Sequence, residues 1–445
     1  MNMANNMMNM ADNTMNASNY LTNTSYNPAG AAGNPAATLG NPAGAPVNLT
    51  ATPGNLAATI GNPSAAPEYP ACALGNQTCA PDAPAGASPG SHDINELLVY
   101  ACSRNATDLH IGVGAKPLMR VGSVLEAIPD EEIMLPQTAE KHVHALINEK
   151  QLETLNRLGE IDFSFSRPGL GRFRANVYKQ RNTYGIAIRS LPFNIPPFDS
   201  LSLPPVIKTF ARRSKGLMLT TGPTGSGKTT TLASIIDIIN SERQCHIITI
   251  EDPIEYLHRH KQSLVGQREV GSDTLSFSNA LRAALREDPD VIMVGEMRDA
   301  ETIAIALTAA ETGHLVFSTL HTVSAAMTID RIIDVFPPNQ QNQVKSQLAT
   351  VLEGVVTQQM VPRKDGAGVV VACEVMVVNN AIRNLIREGK PYQINSIIQT
   401  SANVGMQTME SSLAEYVASG VITQEDAALR ATDTQQLMQL LSRRW

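Results

Sequence analysis

Short, unbroken apolar runs punctuate the middle of the chain, and each gives way to polar or charged residues. Gly216-Leu217-Met218-Leu219-Thr220-Thr221, His246-Ile247-Ile248-Thr249-Ile250, Val291-Ile292-Met293-Val294 and the stretch 313–322 lack the alternation of a half-exposed strand. Runs of this kind predict parallel strands buried on both faces. Residues 230–240 carry helical spacing between the first two. Upstream, strand and helix signals mix: 108–111, 118–121 and 184–189 read as strands, with one helix predicted over 138–157, which together imply an α+β domain. Its first helix is expected near Asp93, an N-cap residue with Glu96 three positions on as in a capping box. Five prolines in 192–205 mark a hinge between the two regions. Beyond the apolar runs, 340–360 and 379–389 read as helices, and 411–441 as helices with short turns.

The first ninety residues have a different pattern. They contain no Lys or Arg, and an Asn/Met-rich opening passes into an Ala/Gly/Pro/Asn-rich tract. Within it Asn27, Asn34, Asn41, Asn48, Asn55 and Asn62 recur every seven residues, each followed by Pro or Leu. A coiled coil would need paired large apolar positions, which the repeat lacks, and Pro and Gly interrupt it throughout. Disorder with extended stretches is the expectation, and a flexible appendage without a catalytic role is the favoured reading, with a tether, a partner-binding tail and a neutral repeat expansion all open.

The first apolar run leads into Gly222-Pro223-Thr224-Gly225-Ser226-Gly227-Lys228-Thr229, which fits G-x-x-x-x-G-K-[ST] between a strand and a helix. Glycines let backbone N–H groups converge on phosphates, and the helix N-terminus adds positive potential. Lys228 is expected to bridge the β- and γ-phosphates of ATP and Thr229 to place its hydroxyl on Mg²⁺, with Thr230 closing the loop. ATP is preferred to GTP because no guanine-reading Asn-Lys-x-Asp occurs. Glu296 stands at the carboxyl end of another apolar run, where it can orient hydrated Mg²⁺. Glu251, Asp252 and Glu255 crowd a third strand end, which favours a role for one of them in positioning attacking water, although such a segment alone also fits a solvated acidic turn. His321 closes the fourth run and reads as a sensor of the γ-phosphate. His314 fits a structural histidine as well as a functional one, and the odd separation of the pair argues against a shared zinc.

Four ordered segments then carry a family resemblance: the phosphate loop at 222–229, the acidic box at 249–255, Val294-Gly295-Glu296-Met297-Arg298-Asp299, and the histidine box at 314–322. Together they resemble the secretion ATPase superfamily that drives type II and type IV secretion and type IV pili. Gly295-Glu296-Met297-Arg298-Asp299, the segment 328–337 and Ala381-Ile382-Arg383-Asn384-Leu385-Ile386-Arg387-Glu388 are similar to the PilT-type pilus retraction branch. The resemblance implies a RecA-like P-loop ATPase domain preceded by a PAS-like α+β domain, with the disordered N-terminal tail and C-terminal helices. The divisions are 1–90, 91–191, a linker at 192–205, the ATPase core at 206–375 and a helical region at 376–445. It further implies Glu255 as general base, Glu296 as the Mg²⁺-associated acid, Glu251 as a supporting acid and His321 as phosphate sensor. Arg174 and Arg189 are the candidate arginine fingers, with ordinary exposed strand arginines as the alternative. A homohexamer is implied, cytoplasmic and peripheral to the inner membrane at the pilus base, docked on a platform protein of the pilus machinery and retracting the fibre. The segment 381–388 is implied to serve retraction as distinct from hydrolysis. From helical spacing alone, Arg383 and Arg387 share a solvated face.

Composition narrows the alternatives. The 445 residues carry a net charge of −7, from 34 basic and 41 acidic side chains, which gives no overall electrostatic footprint for nucleic acid. Only 4% of residues are aromatic, against a nucleic-acid translocase with stacking platforms. No apolar stretch approaches the ~18 residues that span a bilayer, and no signal-peptide pattern opens the chain. Cys72, Cys79, Cys102, Cys245 and Cys373 are too scattered for the four-cysteine zinc insert of many assembly-type relatives, and they suit a reducing compartment. A pilus assembly or type II secretion ATPase is therefore the nearest alternative, and a nucleotide-binding regulator without turnover a more distant one.

Overall fold

The computed structural model describes residues 92–443 apart from 123 and 193. The seven-residue repeat and the tail expected over 1–90 lie outside the described residues, as do Cys72 and Cys79. The first domain is an antiparallel sheet of six strands, β1 (Asp108–Gly112), β2 (Leu118–Val121), β3 (Val124–Ala127), β4 (Glu160–Arg167), β5 (Gly171–Gln180) and β6 (Thr183–Leu191), in the order β3-β2-β1-β6-β5-β4. The helix Ile94–Ser103 starts as its sequence dictates: Asp93 accepts from the N–H groups of Asn95 and Glu96, and the Glu96 side chain accepts from the Asp93 N–H. Its buried face, Ile94, Leu97, Leu98 and Ala101, packs with Leu109, Phe173, Val177 and Ile186 in a core of its own.

The helix expected over 138–157 is two helices, Pro136–Leu146 and Glu149–Leu158. Asn148 accounts for the break. Its side chain accepts from the Gln151 N–H and the Gln151 side chain accepts from its own N–H, a second capping box that restarts the helix.

The second domain is built on seven strands: β7 (Gly216–Thr221), β8 (His246–Glu251), β9 (Leu264–Glu269), β10 (Val291–Val294), β11 (Leu315–Leu320), β12 (Leu352–Pro362) and β13 (Val369–Val377). Their order is β13-β12-β7-β11-β10-β8-β9, parallel except for the β12–β13 hairpin. Strands β7, β10 and β11 are buried at every residue, as their apolar runs predict. Helices cover both faces. One holds Ile303, Leu307, Ile329 and Leu348 against Leu219, Ile292 and Val316, and the other holds Leu232, Ile236 and Ile239 against Met218, Met293 and Phe317. Parallel strands β7, β8, β10 and β11 end on the same edge of the sheet, so four loops meet there.

The predicted helix over 340–360 is also corrected. Helix Pro338–Val351 stops, and Leu352–Pro362 is a strand parallel to β7. Gly354 is required at that join, because a Cβ there would lie 2.6 Å from the Phe210 ring. The segment 379–389 is helical as expected, Asn380–Glu388, ended by Gly389 in the left-handed region. Arg383 departs from the solvated face assigned to it: its guanidinium donates to the Ala349 and Thr350 carbonyls at 2.7 and 2.8 Å and pairs with Glu353. It thereby satisfies the free carbonyls at the end of the preceding helix, whereas Arg387 reaches only Asn384 on its own helix. Within the proline-rich segment, Phe198 and Leu203 are buried in the core of the second domain and the Pro196 carbonyl accepts from Ser234. The stretch from 198 onward is thus anchored to that core.

Candidate active site

The phosphate loop connects β7 to helix Lys228–Glu242. Gly222 has φ +138°, and a Cβ on it would meet the Gln358 carbonyl at 2.2 Å, so the loop starts where only glycine passes beside β12. Gly225 and Gly227 also take positive φ, which turns the chain into the helix. Lys228 is buried, and its Nζ donates to the Gly222 and Pro223 carbonyls, both at 2.9 Å. Burial lowers the pKa of this ammonium, opposed by the nearby charges of Glu296 and Glu255. The Ser226 hydroxyl is buried without a hydrogen-bond partner. A loop turned by glycines at positive φ, an unused buried hydroxyl and a lysine at a helix start fit a bound polyphosphate.

Thr224, Gly225, Lys228 and Thr229 line one cleft together with Glu251, Asp252, Glu255, Glu296 and His321. The residues expected from four separate strand ends are therefore neighbours. Glu296 follows β10, pairs with Arg298 at 2.7 Å and lies 3.6 Å from the Nε2 of His321. Glu251 is buried and accepts from Thr249 at 2.6 Å and Gln267 at 3.1 Å. Burial raises its carboxyl to about 7, against the lowering effect of those hydrogen bonds. His314 sits at the opposite end of β11, its Nδ1 2.9 Å from the Ala309 carbonyl, in a structural role. Thr230, expected to close the loop, is not among the residues lining the cleft, and its hydroxyl lies 3.0 Å from that of Tyr256.

The two candidate finger residues stand directly opposite each other on β5 and β6. Arg189 pairs with Asp108 at 2.8 Å, and Arg174 stands 4.0 Å from Asp162. Neither lines the cleft around Lys228 of its own chain. Arg174 instead lines a neighbouring cavity with Asp252, Pro253 and Glu269 of the second domain, and a further arginine of the same strand also reaches that domain. Arg172 forms an ion pair with Glu269, the last residue of β9, and its Nε donates to the Ile254 carbonyl at 2.8 Å. Sequence reasoning singles out neither residue: it prefers Arg174 to Arg172 within the same family-matching segment, and nothing local marks Glu269.

The profile of the type II/IV secretion system protein family matches residues 202–437, more than half of the chain. The chain belongs to that family, in its PilT branch. A type IV pilus retraction ATPase, PilT, of Pseudomonas aeruginosa is 49% identical over 343 residues, which span 76% of this chain and 98% of that protein. A twitching motility protein of Neisseria gonorrhoeae is 46% identical over 321 residues, 72% of this chain and 86% of that one. The crystal structure of the pilus retraction motor PilT with bound ADP superposes with a TM-score of 0.75 at 48% identity, covering 78% of this chain and all of that one. This member of the secretion ATPase family is an ATP hydrolase with a RecA-like core and a PAS-like domain before it. As an ATP hydrolase it binds nucleotide. Among the described residues no cluster of three or more His, Cys, Asp or Glu is placed to hold a metal ion by itself. Mg²⁺ ordinarily takes one or two protein ligands together with substrate phosphates, a demand that Thr229 and Glu296 fit. Among the described residues no helix is long and apolar enough to cross a membrane.

Proposed function

We propose that this ATPase hydrolyses Mg-ATP to retract type IV pili, working as a homohexamer on the cytoplasmic side of the inner membrane against a platform protein of the pilus machinery. The observation that carries the reading is the meeting of Lys228, Glu255, Glu296 and His321 in one cleft of a chain 49% identical to a PilT retraction ATPase over nearly that protein's whole length.

Roles follow from position. The loop 222–229 holds the phosphates by backbone N–H groups, and Lys228 turns from the Gly222 and Pro223 carbonyls to the β- and γ-phosphate oxygens. Thr229 and Glu296, the latter through water, would hold Mg²⁺, which would supply charge neutralisation to the phosphates. Glu255 takes the proton of the attacking water. Glu251, buried behind it, supports the acidic loop, and His321 beside Glu296 reads the γ-phosphate. Arg174 and Arg189 do not line the cleft around their own phosphate loop, which suits them to a neighbouring subunit's nucleotide.

Turnover by the purified full-length chain tests the chemistry. Lys228→Ala is expected to lose nucleotide binding, and Glu255→Gln to bind ATP while turnover falls by roughly a hundredfold to ten-thousandfold, the range for a general base. Undiminished hydrolysis by Glu255→Gln would remove Glu255 from the role of base.

A further inference from the structure

Residue 254 is held from both sides by groups outside the nucleotide cleft. Its carbonyl accepts from the Arg172 Nε at 2.8 Å, and its N–H donates to Glu269 Oε2 at 3.0 Å. Arg172 belongs to the first domain, Glu269 to the last strand of the ATPase sheet, and the two are ion-paired. Ser164, on β4, donates to the Glu269 carboxylate at 2.6 Å and also hydrogen-bonds with Arg172. Arg172 and Glu269 are both largely buried, at 15% and 7% side-chain exposure, so the contact is desolvated and geometrically demanding. The planar guanidinium is what permits one side chain to serve the carbonyl and the carboxylate at once.

The next residue is Glu255. We propose that Arg172 and Glu269 are positioning residues that fix the Ile254 peptide and thereby aim Glu255 at the attacking water, so that turnover requires the first domain to be seated on its own ATPase core. The inference rests on Glu255 being the base. A rotation of the first domain withdraws Arg172, frees the Ile254 peptide and switches off the base without touching the phosphate loop. This supplies an intramolecular path from domain motion to chemistry, separate from any arginine donated by a neighbour.

A charge swap separates positioning from simple adhesion. In the double variant Arg172→Glu, Glu269→Arg the ion pair is retained in reverse, but a carboxylate then faces the Ile254 carbonyl and a guanidinium faces its N–H. Full-length protein would be assayed for ATP turnover and for binding of a fluorescent ADP analogue, with Glu255→Gln in parallel. Arg172→Ala is expected to lower kcat at least tenfold with analogue Kd within twofold of the parent, and the swap to leave kcat equally low. Recovery of kcat in the swap, or unchanged kcat in Arg172→Ala, would overturn the proposal. If Arg172→Ala does not fold, Arg172→Lys gives the same reading: it keeps the charge toward Glu269 and loses the fork, so a kcat loss at constant Kd supports positioning and unchanged kcat refutes it. Unimpaired turnover by Glu255→Gln would instead fault the assignment of the base, whatever the Arg172 variants do.

Discussion

Burial sets the protonation chemistry of two carboxyl groups, Glu251 beside the nucleotide cleft and Glu374 on β13, both pushed up to about 7. Glu374 accepts from the Ala325 N–H at 2.6 Å, which offsets part of the effect, while Glu410 nearby adds to it. A carboxyl raised above its unfolded value binds a proton more tightly in the folded state. Its contribution to stability is therefore complete below about 4.5, the unfolded value, and is lost as pH rises through about 7. Unfolding of the parent and of Glu374→Gln, followed between pH 5 and 7, should show a shallower decline with pH in the variant. One fully coupled group changes the slope by at most roughly 1.4 kcal/mol per pH unit. Parallel curves would mean that Glu374 titrates alike in both states. At this scale sequence served unevenly. Lys228 and Thr229 were legible from the glycine pattern of their loop, and Glu251, Glu255 and Glu296 because each follows an apolar run. Arg172 and Glu269 were not, because their meaning depends on a contact between residues 97 apart.

At the scale of elements, local signals and tertiary packing compete. Asp299 starts helix Ala300–Glu311 by accepting from both the N–H and the hydroxyl of Thr302, each at 2.8 Å. Asp299→Ala should lower stability by about 1 kcal/mol, readable as a fall in the unfolding midpoint, and an unchanged midpoint would contradict the capping role. Gly222→Ala places a methyl group against the Gln358 carbonyl in a region of φ that only glycine enters readily. That variant should lose nucleotide affinity through a displaced loop, and unaltered affinity would contradict the account of the loop's start. The stretch 352–362 shows why sequence reading failed there. Leu352, Val355 and Val356 have the spacing of a helical face, yet all are buried in a strand beside β7. A fully buried strand has no alternation to betray it, so β-branched residues and Gly354 were the available clues. The break at 147–148 was legible in principle, since Asn148 and Gln151 spell a capping box like that of Asp93 and Glu96.

Across the whole molecule, two arginines far apart in sequence tie appended parts to the ATPase sheet: Arg172 from the first domain and Arg383 from the C-terminal helices. Arg383 is 20% exposed and donates to two carbonyls and a carboxylate. Arg383→Ala should cost roughly 1.5–3 kcal/mol, the scale of a hydrogen bond to a charged group, seen as earlier unfolding. If only fibre retraction changed, with stability intact, the residue would serve a partner and not the fold. The parallel sheet, the edge at which its loops meet and the preceding α+β domain were all foreseeable from apolar runs and motif order. How the two domains touch was not, because it is decided by side chains that meet only after both have folded.

The central claim is the direction of work, since assembly and retraction use the same phosphate chemistry. It is tested most directly by counting surface pili, by shear recovery and electron microscopy, on cells whose only copy carries Lys228→Ala. The account predicts an excess of pili that do not retract, with twitching abolished; bald cells would contradict it and assign the motor to assembly.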